Sequence, residues 1–270
     1  MEYALDSKSV WIDLVGAREA MQKWTGKDVR VAVIDSGIEF DHPDLADLKR
    51  GDDLQVVESG VQLEVKSGDG RDVFGHGTAI AGIIHRLAPE VEIGSFRVLD
   101  EFNMSKTDIV REAVRQALDR NYHILNCSFG CGLANHVLKY KSWVDEAYLK
   151  GVHIVAACNN DDFRAPEWPG AFPSVITVNS GNVQAEEVYY RQGNLVEFIA
   201  SGENIDVPWQ GARRKLISGS SFATPHVTAL LSRLVSAYPR VPPLQAKALL
   251  HQLAKPWGKE AGIVDVTASK

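Results

Sequence analysis

The sequence predicts an α/β fold, a mainly parallel β-sheet flanked by helices on both faces. Three observations predict it. Short β-rich runs alternate with longer stretches of helical period, the pattern of strand–helix crossovers. The strand runs are almost continuously apolar, as strands covered on both sides should be. The composition is 45% hydrophobic and 24% charged over 270 residues, enough to bury a sizeable core.

In chain order, "VRVAVI" (29–34) is the first buried strand, and Asp35-Ser36-Gly37 follows it directly. "DVFGHGTAIAGII" then sets His76 between two glycines at the start of a small-residue helix. "VEIGSFRV" (91–98) is the next strand. "DIVREAVRQALDR" (108–120) places Ile109, Val110, Ala113, Val114, Ala117 and Leu118 on one helical face. After the strand "HILNC" (123–127), "VLKYKSWVDEAYLK" is helical, and Gly151 stands where a left-handed C-terminal glycine belongs. "VHIVAA" (152–157) ends at Cys158-Asn159-Asn160, and "SVITV" (174–178) is another strand. "ISGSSFATPHVTALL" (217–231) opens a helix that runs into "ALLSRLVSAYP", and "LQAKALLHQLAK" is the last. A single domain over 1–270 is the simplest division.

Bulk properties exclude several classes. Net charge is -6 and the densest basic cluster is Arg213-Arg214-Lys215, so no nucleic-acid partner is expected. No apolar run approaches the ~18 residues of a membrane span, so no membrane partner is expected either. The start "MEYALDSKSVW" lacks an export pattern, and three cysteines fit a reducing compartment. These point to a cytoplasmic location. Oligomeric state is not written in the chain.

In sheets of this kind ligands bind beyond the carboxyl ends of the strands. Taken singly, the residues there have ordinary uses. Asp35 could cap a turn, His76 could be structural, Asn159 could be a turn residue, and the serines 218, 220 and 221 could cap a helix. Together, acid, imidazole, amide and hydroxyl are the parts of acyl transfer. The hydroxyl attacks, the imidazole takes its proton, and the carboxylate fixes the imidazole tautomer. The amide donates to the oxyanion. The order Asp, His, Ser excludes the α/β-hydrolase arrangement.

The segments "AVIDSGIEFDHPDL" (32–45), "GHGTAIAG" (75–82), "NCSFG" (126–130), "AACNN" (156–160), "WPGAFPSVITV" (168–178) and "SGSSFATPHV" (218–227) resemble the subtilisin-like serine proteases. They occur in that family's order, and the likeness runs from about Trp11 to Val266. The resemblance implies a subtilisin-like fold and a serine endopeptidase acting on polypeptides. It implies Asp35, His76 and Ser221 as the triad, with Asn159 and the Ser221 amide forming the oxyanion hole. Ser220 stands where the family has Thr, and Phe222 where it has Met.

The sequence also departs from that pattern. Only His85-Arg86 lies where secreted members carry a calcium loop. Asp44 matches a family calcium ligand, but no tight metal site and no cofactor are expected. Only 34 residues precede Asp35, with no room for a folding prodomain, and both features suit an intracellular processing protease. The resemblance implies a peptide clamped as an added strand between Ser128-Phe129-Gly130 and Asn103-Met104-Ser105. It places Cys158, Asn160 and Glu167 at the primary specificity pocket. Glu167 stands where many relatives have glycine, and Asp161 and Asp162 precede it, so a basic residue before the cleaved bond is expected. If all three acids face solvent, a modest apolar residue fits instead. Cys127, Cys131 and Cys158 read as small buried residues before they read as a redox device. A non-catalytic peptide-binding module, or an esterase or peptide ligase on the same acyl-enzyme, is the alternative function.

Overall fold

The computed structural model describes residues 11–60, 62–194 and 196–258. The opening residues 1–10 and the expected end of the likeness at Val266 lie outside the described residues.

The strands anticipated from apolar runs form the middle of one sheet. They are β1 (Arg30–Asp35), β4 (Glu92–Arg97), β5 (Ile124–Cys127), β6 (His153–Ala157) and β7 (Ile176–Gly181). Around them lie β2 (Lys49–Ser59), β3 (Gln62–Ser67), β8 (Tyr189–Tyr190), β9 (Phe198–Ser201) and β12 (Lys255–Pro256). The order is β12-β8-β9-β7-β6-β5-β1-β4-β2-β3. Among the described residues, only β2–β3 and β8–β9 pair antiparallel in it. A separate hairpin joins β10 (Ile205–Trp209) to β11 (Arg213–Ile217).

Alternation along β1 shows why the central strands are apolar throughout. Val31 and Val33 face one core, while Ala32 and Ile34 face the other. The first core is filled from α1 (Leu14–Lys23), α2 (His76–Leu87), α5 (Ser220–Ala237) and α6 (Pro243–Leu253). The second is filled from α3 (Thr107–Asp119) and α4 (Val137–Leu149). On α3 the expected face is buried at Val110, Ala113, Val114, Ala117 and Leu118, with Ile109 half-buried at its margin. Gly151 ends α4 with φ of 73°. β1, β5 and β6 run parallel, so Asp35, Cys127 and Ala157 end at one edge of the sheet. The helices α2 and α5 start at His76 and Ser220. Among the described residues no helix is long and apolar enough to cross a membrane.

Two buried histidines in this core have no acidic partner among the described residues. His226 in α5 gives one ring nitrogen to the Phe222 carbonyl at 2.9 Å, and its Nε2 meets no partner there. Burial lowers its pKa to about 4 and that of His153 to about 4. The unfolded chain takes these protons near pH 6.5, so between those limits it binds more protons than the fold does. Stability should therefore fall by about 3 kcal/mol from these two groups between pH 6.5 and 5. Urea unfolding of the Ser221→Ala variant, which avoids self-digestion, measures this. A flat profile across that window would contradict it.

Candidate active site

Asp35 ends β1 with no exposure, and both its oxygens lie within reach of His76 Nδ1, at 2.8 and 2.9 Å. That contact commits Nδ1 to the carboxylate and leaves Nε2 as the nitrogen able to exchange a proton. The glycines beside His76 serve the backbone. Gly75 has φ of 111°, and a Cβ there would lie 2.5 Å from the Trp209 ring. A Cβ on Gly77 would lie 2.0 Å from the Gly37 carbonyl. A larger residue at 75 would strike Trp209 of β10, and one at 77 would push α2 off the turn after β1.

A second carboxylate, Asp72, fixes the same turn. Its Oδ1 accepts from Ser36 Oγ (2.7 Å), Phe74 N (3.0 Å) and Gly75 N (2.7 Å). Its Oδ2 accepts from Thr78 N (2.8 Å) and Thr78 Oγ1 (2.7 Å). Ser36 also donates its amide to Asp35 at 2.7 Å and accepts the Gly77 amide at 3.1 Å. Asp72 is not singled out by sequence reasoning. Its signal is an acid four residues before a histidine that opens a helix, where free amides need acceptors. Burial by itself would lower the His76 pKa. The charge and hydrogen bond of Asp35, with a further contribution from the charge of Asp72, outweigh it and raise the pKa above the ordinary imidazole value.

The serine cluster resolves differently from simple capping. The N-cap of α5 is Gly219, which has no side chain to cap the helix, and none of the three serines caps it. Ser218 Oγ accepts the Asn204 amide at 2.8 Å, and Ser220 Oγ donates to the Cys158 carbonyl at 2.7 Å. Ser221, in the first turn, donates its Oγ to the Ser128 carbonyl at 3.0 Å rather than to His76. Its own carbonyl accepts from Ser128 Oγ at 2.9 Å. A buried chain continues inward, Asn126 Nδ2 to Ser128 Oγ at 2.9 Å and Thr228 Oγ1 to Asn126 Oδ1 at 2.8 Å. Phe222 packs edge-on to the His76 ring at a centroid distance of 5.1 Å.

The expected oxyanion donor lies elsewhere in this arrangement. Asn159 Nδ2 donates to Glu167 Oε1 at 2.9 Å, and its Oδ1 accepts the amides of Asp161 and Asp162 at 2.8 and 2.9 Å. Asn160, expected to line the pocket, instead accepts the Ser220 amide with its Oδ1 at 2.8 Å. Glu167 is turned inward and half-buried, and burial raises its pKa. Asp161 and Asp162 are exposed. Glu167 lies against the Ser128-Phe129-Gly130 wall, since a Cβ on Gly130 would lie 2.2 Å from its Oε2. Cys131 and Trp168 exchange backbone hydrogen bonds at 3.0 Å, which tie that wall to the Glu167 loop. In the other expected peptide-binding segment, Asn103 holds φ of 61° and Met104 is exposed, its amide donating to Asp100 Oδ1 at 2.9 Å. Ser105 beside it is exposed as well. The segment is a closed turn even without glycine. Cys127 and Cys158 are buried, and burial pushes the Cys158 thiol up to about 12. Such thiols are inert at neutral pH.

Asp44 has a cation of its own. Its Oδ2 pairs with Arg214, whose other nitrogens bind Asp206 Oδ2 at 2.9 and 3.0 Å. A guanidinium beside this carboxylate does not fit a calcium site. EDTA should therefore shift the melting temperature by less than about 2 °C; a larger fall restored by calcium would contradict this. Asp72→Asn should destabilise the fold by about 1–3 kcal/mol, because an amide nitrogen cannot accept from the surrounding donors. It should also lower the His76 pKa, read by NMR titration. A variant with unchanged stability and pKa would remove Asp72 from the account.

Comparison with known proteins agrees with the geometry. Residues 26–265 match the model of the Subtilase family. Subtilisin E of Bacillus subtilis (strain 168) is 28% identical over 268 residues, covering 92% of this chain and 67% of that protein. The minor extracellular protease Epr of the same organism is 31% identical over 231 residues, covering 80% of this chain and 34% of that one. A crystal structure of a cold-adapted subtilisin-like serine proteinase superposes with a TM-score of 0.68 at 27% identity, covering 85% of this chain and 83% of the other. The chain belongs to the subtilase family and is a subtilisin-like serine endopeptidase.

Proposed function

We propose that Ser221 is the nucleophile, His76 its general base, and Asp35 the group that holds the imidazole in its reactive tautomer. The observation that carries this is the Asp35–His76 contact at 2.8 Å, buried at the edge where α5 begins. On substrate binding, Ser221 Oγ turns from the Ser128 carbonyl toward His76 Nε2 and attacks the peptide carbonyl. The proton passes to Nε2, and His76 returns it to the leaving amine. Water then releases the acyl group by the same route. The Ser221 amide and Asn159 Nδ2 receive the developing oxyanion, and the helix dipole favours it.

The substrate reading follows from charge. Glu167 presents a half-buried carboxylate between the two pocket walls, which favours Arg or Lys before the cleaved bond. A charge-assisted hydrogen bond there contributes about 1.5–3 kcal/mol, roughly ten- to a hundred-fold in selectivity over a neutral residue. A selective processing role in the cytoplasm is the setting we propose. It is supported by three free cysteines and by the half-buried Glu167 carboxylate.

Ser221→Ala should abolish cleavage, a loss of about 10⁶ in turnover, with the fold retained. Asn159→Ala should cost about 10²–10³ with little change in KM. Retention of more than about a percent of wild-type rate by purified Ser221→Ala would overturn the assignment. The acid limb of kcat/KM should have its midpoint above the ordinary imidazole value of about 6.5, because only neutral His76 can accept the proton. A midpoint at or below that value would contradict the raised His76 pKa.

A further inference from the structure

Both adjustable parts of the site are held by partners that do no chemistry. Ser221 Oγ rests on the Ser128 carbonyl, and Asn159 Nδ2 rests on Glu167. The second contact is the more informative, because its acceptor is also the charge proposed to read the substrate. Asn159 uses Oε1 of Glu167, and a guanidinium binding as a fork takes both carboxylate oxygens, so a cation entering the pocket competes with the amide for Oε1.

We propose that Glu167 is a latch on the oxyanion donor, and that a basic substrate side chain opens it. The inference rests on the basic-specificity reading above and extends it from binding to turnover. An amide donating to a carboxylate is the weaker claimant, because a guanidinium offers full charge and two parallel donors. When the cation takes Glu167, the half-buried Asn159 Nδ2 loses its acceptor. The freed amide then turns to the developing negative charge, the oxyanion. In the closed arrangement Asn159 Oδ1 accepts the amides of Asp161 and Asp162, and turning the planar side-chain amide exchanges those bonds together with the one to Glu167. Gly130 leaves the space Glu167 fills, and the Cys131–Trp168 bridge keeps the two walls together as the occupant changes. A neutral side chain leaves the latch closed. Glu167 is thus a positioning residue acting through Asn159, and its signature lies in kcat more than in KM.

The test uses peptide amides that differ only in Arg, Leu or Ala before the cleaved bond. They are assayed with the intact enzyme and with Glu167→Ala, Asn159→Ala and the double variant. Glu167→Ala should raise kcat for the Leu substrate about ten-fold, the worth of one hydrogen bond to a charged group. The rise should vanish in the Asn159→Ala background. With the Ala substrate, whose side chain leaves the pocket empty, millimolar ethylguanidinium should accelerate the wild-type enzyme several-fold. It should not accelerate Glu167→Ala. The latch is overturned by an unchanged or lower kcat for Leu in folded Glu167→Ala. It is equally overturned by the same rise without Asn159, or by ethylguanidinium that only inhibits. If wild-type enzyme still prefers Arg in those cases, basic specificity stands and the latch alone falls. Equal kcat/KM for Arg and Leu would remove both. Should Glu167→Ala fail to fold, the ethylguanidinium arm on wild-type enzyme decides.

Discussion

Everything at the reactive edge depends on two buried acids joined by one hydroxyl. Ser36 Oγ lies between Asp35 and Asp72, at 3.2 and 2.7 Å. Buried carboxylates are tolerable only when their lone pairs meet donors. Here the donors are backbone amides of the turn that opens α2. Satisfying Asp72 therefore winds residues 74–78 into one conformation, which sets His76 against Asp35. The positive end of α2 faces the same acids and offsets part of their desolvation cost. Strand, turn, helix and imidazole are one mechanical unit.

The other half of the site is built with looser joints. α5 is fixed in depth by the Thr228–Asn126–Ser128 chain and by Ser220 on the Cys158 carbonyl. The groups at its tip are not fixed in a reactive pose. Ser221 Oγ rests on the Ser128 carbonyl, and Asn159 Nδ2 rests on Glu167. In the proposed mechanism, substrate occupancy decides when the nucleophile and the oxyanion donor align with the acid–base pair.

The central sheet was legible because its strands are covered on both faces, and a short run apolar at every position suits a doubly covered strand. The edges were not. β2 reads "KRGDDLQVVES" and β3 "QLEVKS", largely exposed strands whose charges hide their pairing. The short β8 and β12 carry too few residues for a pattern. At the site, residue type and order pointed to Asp35, His76, Asn159 and Ser221, since each follows a strand or opens a helix. Side-chain direction was beyond the sequence. Nothing in "AACNN" says that Asn159 turns to Glu167 or that Asn160 reaches Ser220, because both depend on loops closing across the cleft. Asp44 illustrates the same limit. Its likeness to a calcium ligand is visible locally, while its actual partner, Arg214, is far along the chain.

The central claim is that Ser221 becomes the nucleophile when neutral His76 takes its proton. Labelling with a serine-directed fluorophosphonate, followed by peptide mapping, tests it most directly. A single adduct is expected, on Ser221, forming at a rate that falls as pH drops through the raised His76 pKa. An adduct on another serine, or no adduct on folded protein at alkaline pH, would contradict it.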